Sequence, residues 1–298
     1  MKTPYGRIAV LLAVAVAAGC AAGGRSTRES DRAGDLGDTL GRIKAAKTIV
    51  LGYRESSPPF SFAREDGRPL GYSVDLCTHV AASIARQLSL PDLKTRWVKV
   101  TVADRMEAVV NGTIDLECGS TTASLSRQEQ VDFSLLTFVD GGSLLVTDES
   151  RVGSVRTLDG KRVALIPGTT TETSLRNALA KRGLAAQIVP VTDHAAGVAA
   201  LDGGTADAYA SDRSILVGIG RTSRNPARLS LIDEFFSYEP YGLMLRRGDP
   251  AFRLAVNRAL AALYRSTDVA PIFERWFGSI PTATSLIAAM YVINSLPE

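Results

Sequence analysis

The sequence predicts an α/β protein built as two lobes of similar construction. Three observations carry that expectation. The chain has 298 residues, enough for two domains of ordinary size. Apolar runs of strand length alternate with segments of helical period along most of it. Two glycine–hydroxyl runs also recur, Gly119-Ser120-Thr121-Thr122 with Arg127 beyond it, and Gly168-Thr169-Thr170-Thr171-Glu172 with Arg176 beyond it. A shorter echo joins them: Asn111-Gly112-Thr113-Ile114-Asp115 and Gly203-Gly204-Thr205-Ala206-Asp207 each close a helix and start a strand.

The elements follow in order. Lys2 and Arg7 precede an apolar run at 8–18 and then Gly19-Cys20, the pattern of a secretory signal over residues 1–19. A run of about eleven residues is too short to cross a bilayer as a helix. Ala18-Gly19 before Cys20 resembles a bacterial lipobox, which implies lipidation of Cys20; ordinary cleavage near the same alanines is the alternative. Residues 20–38 are small, polar and charged and read as a tether. Folded structure is expected from Thr39, with a helix to Ala46 and a buried strand over 48–53 that runs into Arg54. A hairpin follows over 61–64 and 69–72, turning at Asp66-Gly67. Residues 75–88 form a helix, with Leu76, Val80, Ile84 and Leu88 on one stripe and His79 off it. After a strand at 95–100, Thr101 and Asp104 have capping-box spacing before a helix that closes at Asn111-Gly112. Arg105 falls in its first turn, where a cation opposes the helix dipole, which suggests a functional demand.

Asp115-Leu116-Glu117 reads as a buried strand from which Gly119 lets the backbone turn. Residues 138–146 are extended and read as a first crossing into the second lobe. Strands are expected at 162–166, 186–191, 206–210, 230–232 and 238–245, the last as the return crossing. Helices are expected from Thr169 to Gly183, from Asp193-His194, and over 250–265 and 268–277. Residues 286–293 are apolar but short and should pack on the body. The divisions are then 39–140 for the first lobe, 141–240 for the second, and 241–298 for the return and the C-terminal helices.

The pI near 8.8 does not point to nucleic acid, because the basic residues are scattered. Loss of residues 1–19 removes Lys2 and Arg7 from 34 basic residues, against 31 acidic ones, and leaves a balance of +1. Apart from Cys20, two cysteines remain, Cys77 and Cys118. In an oxidising compartment they form a candidate disulfide, the alternative being two buried thiols. Two distant histidines give no metal-ligand spacing, and no nucleophile elbow, phosphate loop or cofactor motif occurs. What stands out is donors at strand ends and helix starts: Arg54, Arg105, Ser120, Thr122, Arg127, Thr169, Thr170 and His194. One acceptor, Asp212, has a similar place. Several cations and one anion around a cleft describe a guest with more negative than positive charge, as an acidic amino acid has.

The runs Arg54-Glu55-Ser56-Ser57 with Phe60, Gly71-Tyr72-Ser73 with Asp75, Asn111-Gly112-Thr113 with Asp115, Glu117-Cys118-Gly119-Ser120-Thr121-Thr122, and Tyr241-Gly242 with Met244-Leu245-Arg246 closely resemble the periplasmic glutamate/aspartate-binding proteins of bacterial ABC importers. These belong to the polar amino-acid group of solute-binding proteins, and the resemblance spans about residues 39–281. It implies the periplasmic binding protein fold, each lobe a sheet flanked by helices, with two crossover hinge strands and closure by hinge motion. It implies a monomer in the periplasm or on the outer face of the membrane that binds L-glutamate or L-aspartate and serves an ABC permease. It calls for no cofactor, metal or chemistry. By the same resemblance Arg127 grips the α-carboxylate with the Thr122 amide and Thr170. Asp212 and the Ser120 carbonyl take the ammonium, and Arg54, Arg105 and His194 surround the side-chain carboxylate, His194 either protonated or neutral. Val102 stands three residues before Arg105, where the family often offers a serine near that helix start. A ligand-presenting sensor, or a dehydratase of small acids on the same fold, are the alternatives.

Overall fold

A computed structural model describes residues 38–278 and 284–298. The segment 1–19, Cys20 and all of the tether but Asp38 lie outside them. α1 (Thr39–Ala46) is capped by Asp38, which accepts from the Gly41 N–H. β1 (Thr48–Tyr53) is followed by β2 (Ser56–Ser57), β3 (Ser61–Ala63) and β4 (Pro69–Leu70), a small antiparallel sheet of their own. α2 (Tyr72–Gln87) starts three residues earlier than its apolar stripe suggests. The Pro59 and Phe60 carbonyls accept from the Tyr72 and Ser73 N–H groups, so no side-chain cap marks the start in the sequence.

Next come β5 (Lys94–Lys99), α3 (Arg105–Val110), β6 (Leu116–Glu117), α4 (Leu125–Gln128) and β7 (Val131–Asp140). The second sheet is then built from β8 (Gly142–Thr147), β9 (Arg162–Leu165), α5 (Thr170–Ala180), β10 (Gln187–Pro190), α6 (His194–Asp202), β11 (Ala208–Asp212), α7 (Arg213–Gly220) and β12 (Leu229–Leu231). α7 has no counterpart among the expected elements: its apolar residues sit among Gly218 and Gly220, which weaken a helical pattern. The chain returns through β13 (Glu239–Arg246) and ends in α8 (Pro250–Arg265), α9 (Val269–Phe277) and α10 (Thr284–Asn294).

The two main sheets share one plan. Their orders are β5-β1-β6-β13-β7 and β10-β9-β11-β8-β12. In each, three parallel strands meet antiparallel ones. The short sequence echo marks the same joint in both. Asp115 exchanges backbone and side-chain bonds with Val50, its carboxylate accepting from the Val50 N–H at 2.8 Å; Asp207 does the same with Arg162, also at 2.8 Å. Gly112 and Gly204 take the left-handed φ (71° and 65°) that turns the chain out of the helix and into the strand. The two joints differ in charge environment: burial raises the Asp115 pKa, whereas the Arg162 guanidinium lowers that of Asp207.

Apolar residues fill both faces of each sheet. Leu51, Leu116 and Leu245 meet Leu76, Val80 and Leu260 on one face of the first, and Val100, Val109 and Met244 cluster on the other. The second sheet divides its core likewise, with Val163 and Leu165 on one side and Ala164 and Tyr209 on the other. α10 packs on the body, as its length suggests. Ile287 and Met290 are buried, and the Tyr291 hydroxyl lies 2.7 Å from that of Tyr72. Among the described residues no helix is long and apolar enough to cross a membrane.

Cys77 and Cys118 form a disulfide that ties α2 to the turn after β6. The bridge closes a segment of 41 residues, and loop-closure entropy for that length gives about 2–4 kcal/mol. Replacing both cysteines by alanine is expected to lower the unfolding free energy extrapolated from urea melts by that much, and with it the midpoint. A midpoint unmoved within error would show that the bridge contributes nothing to stability.

Candidate functional site

The carboxyl ends of the parallel strands of both sheets face one cleft, the usual place for a ligand in open α/β sheets. Arg54 follows β1, and Ser120 and Thr122 follow β6. Thr169 caps α5, His194 opens α6, and Asp212 ends β11. Arg105 is the first residue of α3 and Arg127 lies on α4. All nine residues singled out in the sequence line a single cavity of about 30 Å³, together with Val102, Thr171, Ser211 and Ile215.

Local chemistry holds each in place. Thr101 and Asp104 make the expected reciprocal bonds, at 2.6 and 3.3 Å, but they close a turn and α3 begins after it. Arg105 thereby leads the helix with its side chain turned in, 4% exposed, and donates to Thr121 Oγ1 at 2.6 Å. Thr121 in turn donates to Glu117 Oε2 at 2.8 Å. Gly119 is not a left-handed turn position. It is glycine because the buried Glu117 carboxylate folds back across it, and a Cβ there would stand 2.2 Å from Glu117 Oε1. Arg127 Nη1 donates to the Thr122 carbonyl at 2.9 Å.

Thr169 is already committed: its hydroxyl donates to the Ile166 carbonyl and accepts from the Glu172 N–H. Glu172 accepts from the Gly168 N–H, one residue earlier than a capping box requires, and holds Arg176 outside the cavity. Asp212 accepts from Thr171 Oγ1 at 2.8 Å and from the Tyr241 hydroxyl. His79, expected at the surface, is half-buried on α2 and lines no part of this cavity.

The electrostatics are unusual for a folded interior. Among the described residues no carboxylate forms an ion pair with Arg54, Arg105 or Arg127. Burial first, then the neighbouring Arg105, pushes Arg54 and Arg127 each down to about 10, still charged at neutral pH. Burial, then Arg54 and Arg105, pushes His194 down to about 3, so the imidazole is neutral. Of the two alternatives, the unliganded cleft therefore holds the neutral one. Its Nδ1 lies 2.6 Å from the Tyr209 hydroxyl, and when that hydroxyl donates, Nε2–H is left to the cleft.

Asp212 is pushed up to about 8, by burial and then by Glu239 and Asp140. The folded chain therefore keeps a proton there that an unfolded aspartate releases near pH 3.8. Its contribution to stability is full below about pH 4 and is lost as pH rises through about 8. A cationic group seated on Asp212 needs the carboxylate, so it must displace that proton. Affinity for an ammonium-bearing guest is expected to rise between pH 6 and 8 by up to about tenfold per unit, while unliganded stability falls over the same window. Calorimetric titration at pH 6, 7 and 8 in buffers of different ionisation enthalpy reads the affinity and the proton release, and urea melts at the same pH values read the stability; a flat affinity with no proton release would contradict it.

The family model for bacterial extracellular solute-binding proteins, family 3, matches residues 49–279. The chain belongs to that family. Among curated relatives, the L-glutamate/L-aspartate-binding protein of Pseudomonas aeruginosa is 38% identical over 246 residues, 82% of either chain. The glutamate/aspartate import solute-binding protein of Escherichia coli K12 is 32% identical over 247 residues, 83% of this chain and 82% of that one. Among solved structures, an ancestral arginine-binding protein bound to glutamine superposes with a TM-score of 0.70 at 25% identity, covering 78% of this chain and 99% of that one. These relatives are solute-binding proteins rather than enzymes, and the fold is that of the two-lobed periplasmic binding proteins.

As a family 3 solute-binding protein the chain also shows what its motifs did not select. Thr121, Tyr209, Tyr241 and Glu239 all support cleft residues from behind. Thr121 and Tyr241 lie in runs already quoted from the sequence, but nothing there gives any of the four a role, and only the three-dimensional neighbour reveals its use.

Proposed function

We propose that this protein is an extracytoplasmic receptor that captures L-glutamate and L-aspartate between its lobes and delivers them to the permease of an ABC importer. The single observation that carries the reading is the convergence of Arg54, Arg105, Arg127 and Asp212 on one interlobe cavity. Arg127 takes the α-carboxylate as a bidentate pair, and the Thr122 amide and the backbone at the Thr170 start of α5 complete the grip. Asp212 and the Ser120 carbonyl take the ammonium. Arg54, Arg105 and neutral His194 receive the distal carboxylate, and Thr169 serves by shaping the start of α5. The first lobe is 39–140 with 241–298, and the second is 141–240. The protein works as a monomer, anchored through a lipid on Cys20. The printed ligands of its relatives favour acidic amino acids, and a guest with two carboxylates and one ammonium suits three guanidiniums and one aspartate.

Calorimetric titration of the chain lacking residues 1–38 with glutamate, aspartate, glutamine and asparagine tests this. Micromolar or tighter binding of the acids is expected, with the amides at least about tenfold weaker, because an amide leaves a buried guanidinium underpaired at about 2–5 kcal/mol. Equal binding of acids and amides would remove Arg54, Arg105 and His194 from the side-chain site, and no binding at all would end the receptor reading.

A further inference from the structure

Glu239 has no part in the reading above. It is the first residue of β13, 1% exposed, and three hydroxyls converge on its carboxylate. Thr122 Oγ1 donates to Oε2 at 2.6 Å, Thr170 Oγ1 to the same oxygen at 2.7 Å, and Ser237 Oγ to Oε1 at 2.6 Å. Thr122 stands on the first lobe, where its backbone bridges to Tyr241 of β13. Thr170 opens the first turn of α5 on the second lobe, Ser237 lies two residues before β13, and Glu239 itself begins that return crossing. One carboxylate thus touches both lobes and the hinge.

We propose that Glu239 is a positioning residue, a latch that joins the lobes and sets the polarity of the two threonine hydroxyls that line the cleft. The inference rests on the receptor reading. A hydroxyl has one proton and two acceptor sites. With both protons given to Glu239, Thr122 and Thr170 offer only lone pairs to the cleft. That polarity suits an ammonium and repels a carboxylate, which corrects the expectation that these two hydroxyls serve as donors. All three bonds to the carboxylate are short, at 2.6 to 2.7 Å. Opening the cleft separates Thr122 from Thr170, now 3.2 Å apart, and must break at least one bond to Glu239. The latch therefore acts after closure and slows release.

Glutamate affinity and release rate measured on the wild type, Glu239→Ala, Thr170→Ala and the double variant test this. Glu239→Ala is expected to raise Kd about a hundredfold, mainly by faster release, and Thr170→Ala about tenfold. The double variant should be no worse than Glu239→Ala within about threefold, because the two losses share one interaction. A residue that only supports the fold would lower Tm and give losses that multiply. Losses that multiply, or a Glu239→Ala Kd within threefold of wild type, would overturn the latch. Should Glu239→Ala fail to fold, Glu239→Gln carries the test: it keeps one acceptor oxygen and should fall between alanine and wild type, and a wild-type Kd and release rate would overturn the proposal. If the wild type itself binds no acidic amino acid, the receptor reading fails separately. The latch is then judged by small-angle scattering of the unliganded pair, where a larger radius for the variant supports it and identical curves reject it.

Discussion

Arg127→Met is expected to weaken glutamate and aspartate binding about a thousandfold while leaving the unliganded protein at least as stable as wild type. The two halves of that result have one cause. Arg127 is half-buried, and partial burial and the nearby Arg105 already hold its pKa down to about 10. A cation in that position is a cost to the empty fold, so an apolar side chain of similar length relieves it. Its structural role is small: the side chain donates one bond, to the Thr122 carbonyl, and the Ser124 cap of α4 uses the Arg127 backbone N–H, which methionine keeps. In the proposed complex, however, Arg127 is the bidentate partner of the α-carboxylate. Removing one member of a desolvated charge pair costs about 2–5 kcal/mol, and the expected thousandfold, about 4 kcal/mol, falls in the upper half of that range. Amides should lose as much as acids, because both carry the same α-carboxylate. Thermal shift with and without ligand reads both halves at once: the unliganded Tm should hold and the ligand-induced rise should vanish. A variant that loses binding and Tm together would instead place Arg127 in the structural frame.

The second large effect is expected from Arg105→Gln, and it is selective. Acids should weaken about a thousandfold and amides by less than tenfold, so that the preference between them collapses. Glutamine ends two bonds short of the Arg105 Nη1 that meets Thr121, but Thr121 still donates to Glu117 Oε2, which limits structural damage. It cannot replace the charge facing the distal carboxylate, and His194, neutral with a pKa of about 3, cannot supply it either. Arg105 is also the largest charge acting on both Arg54 and Arg127. Its loss therefore raises the pKa of each, and the unliganded protein should gain some stability. Parallel titrations with the four amino acids read the ratio directly. An acid preference that survives in Arg105→Gln would mean that Arg54 alone receives the distal carboxylate.

Much of this is legible in the sequence, and the physical reasons differ by element. Buried strands such as Thr48–Tyr53 announce themselves by apolar composition, and Asp193 marks the helix it caps, whereas Asp38, read as the end of the tether, is the cap of α1. The cleft arginines stand out because a cation at a strand end or at the start of a helix needs a reason. The start of α2 was not legible, because its first N–H groups are met by backbone carbonyls of Pro59 and Phe60, and backbone carries no sequence signal. α7 was hidden by its glycines. The polarity of Thr122 and Thr170 was hidden for another reason: a hydroxyl can donate or accept, and only the distant Glu239 decides which. The protonation of His194 was likewise undetermined until its burial beside Arg54 and Arg105 was known.

The strand order of the first sheet has a consequence for how the protein reaches its place of work. β13, residues 239–246, lies between β6 and β7 in that sheet, with β6 bonded to it on one edge and β7 on the other. The second sheet, by contrast, draws its strands from one uninterrupted stretch, β8 to β12. A chain threaded through a membrane from its N-terminus thus delivers a complete second lobe before the first can close. Until the last quarter of the polypeptide has emerged, β7 lacks its neighbour and the barrier to sliding back or onward stays low. Vectorial export and a discontinuous domain are matched: the lobe that carries Arg54, Arg105 and Arg127 is sealed last.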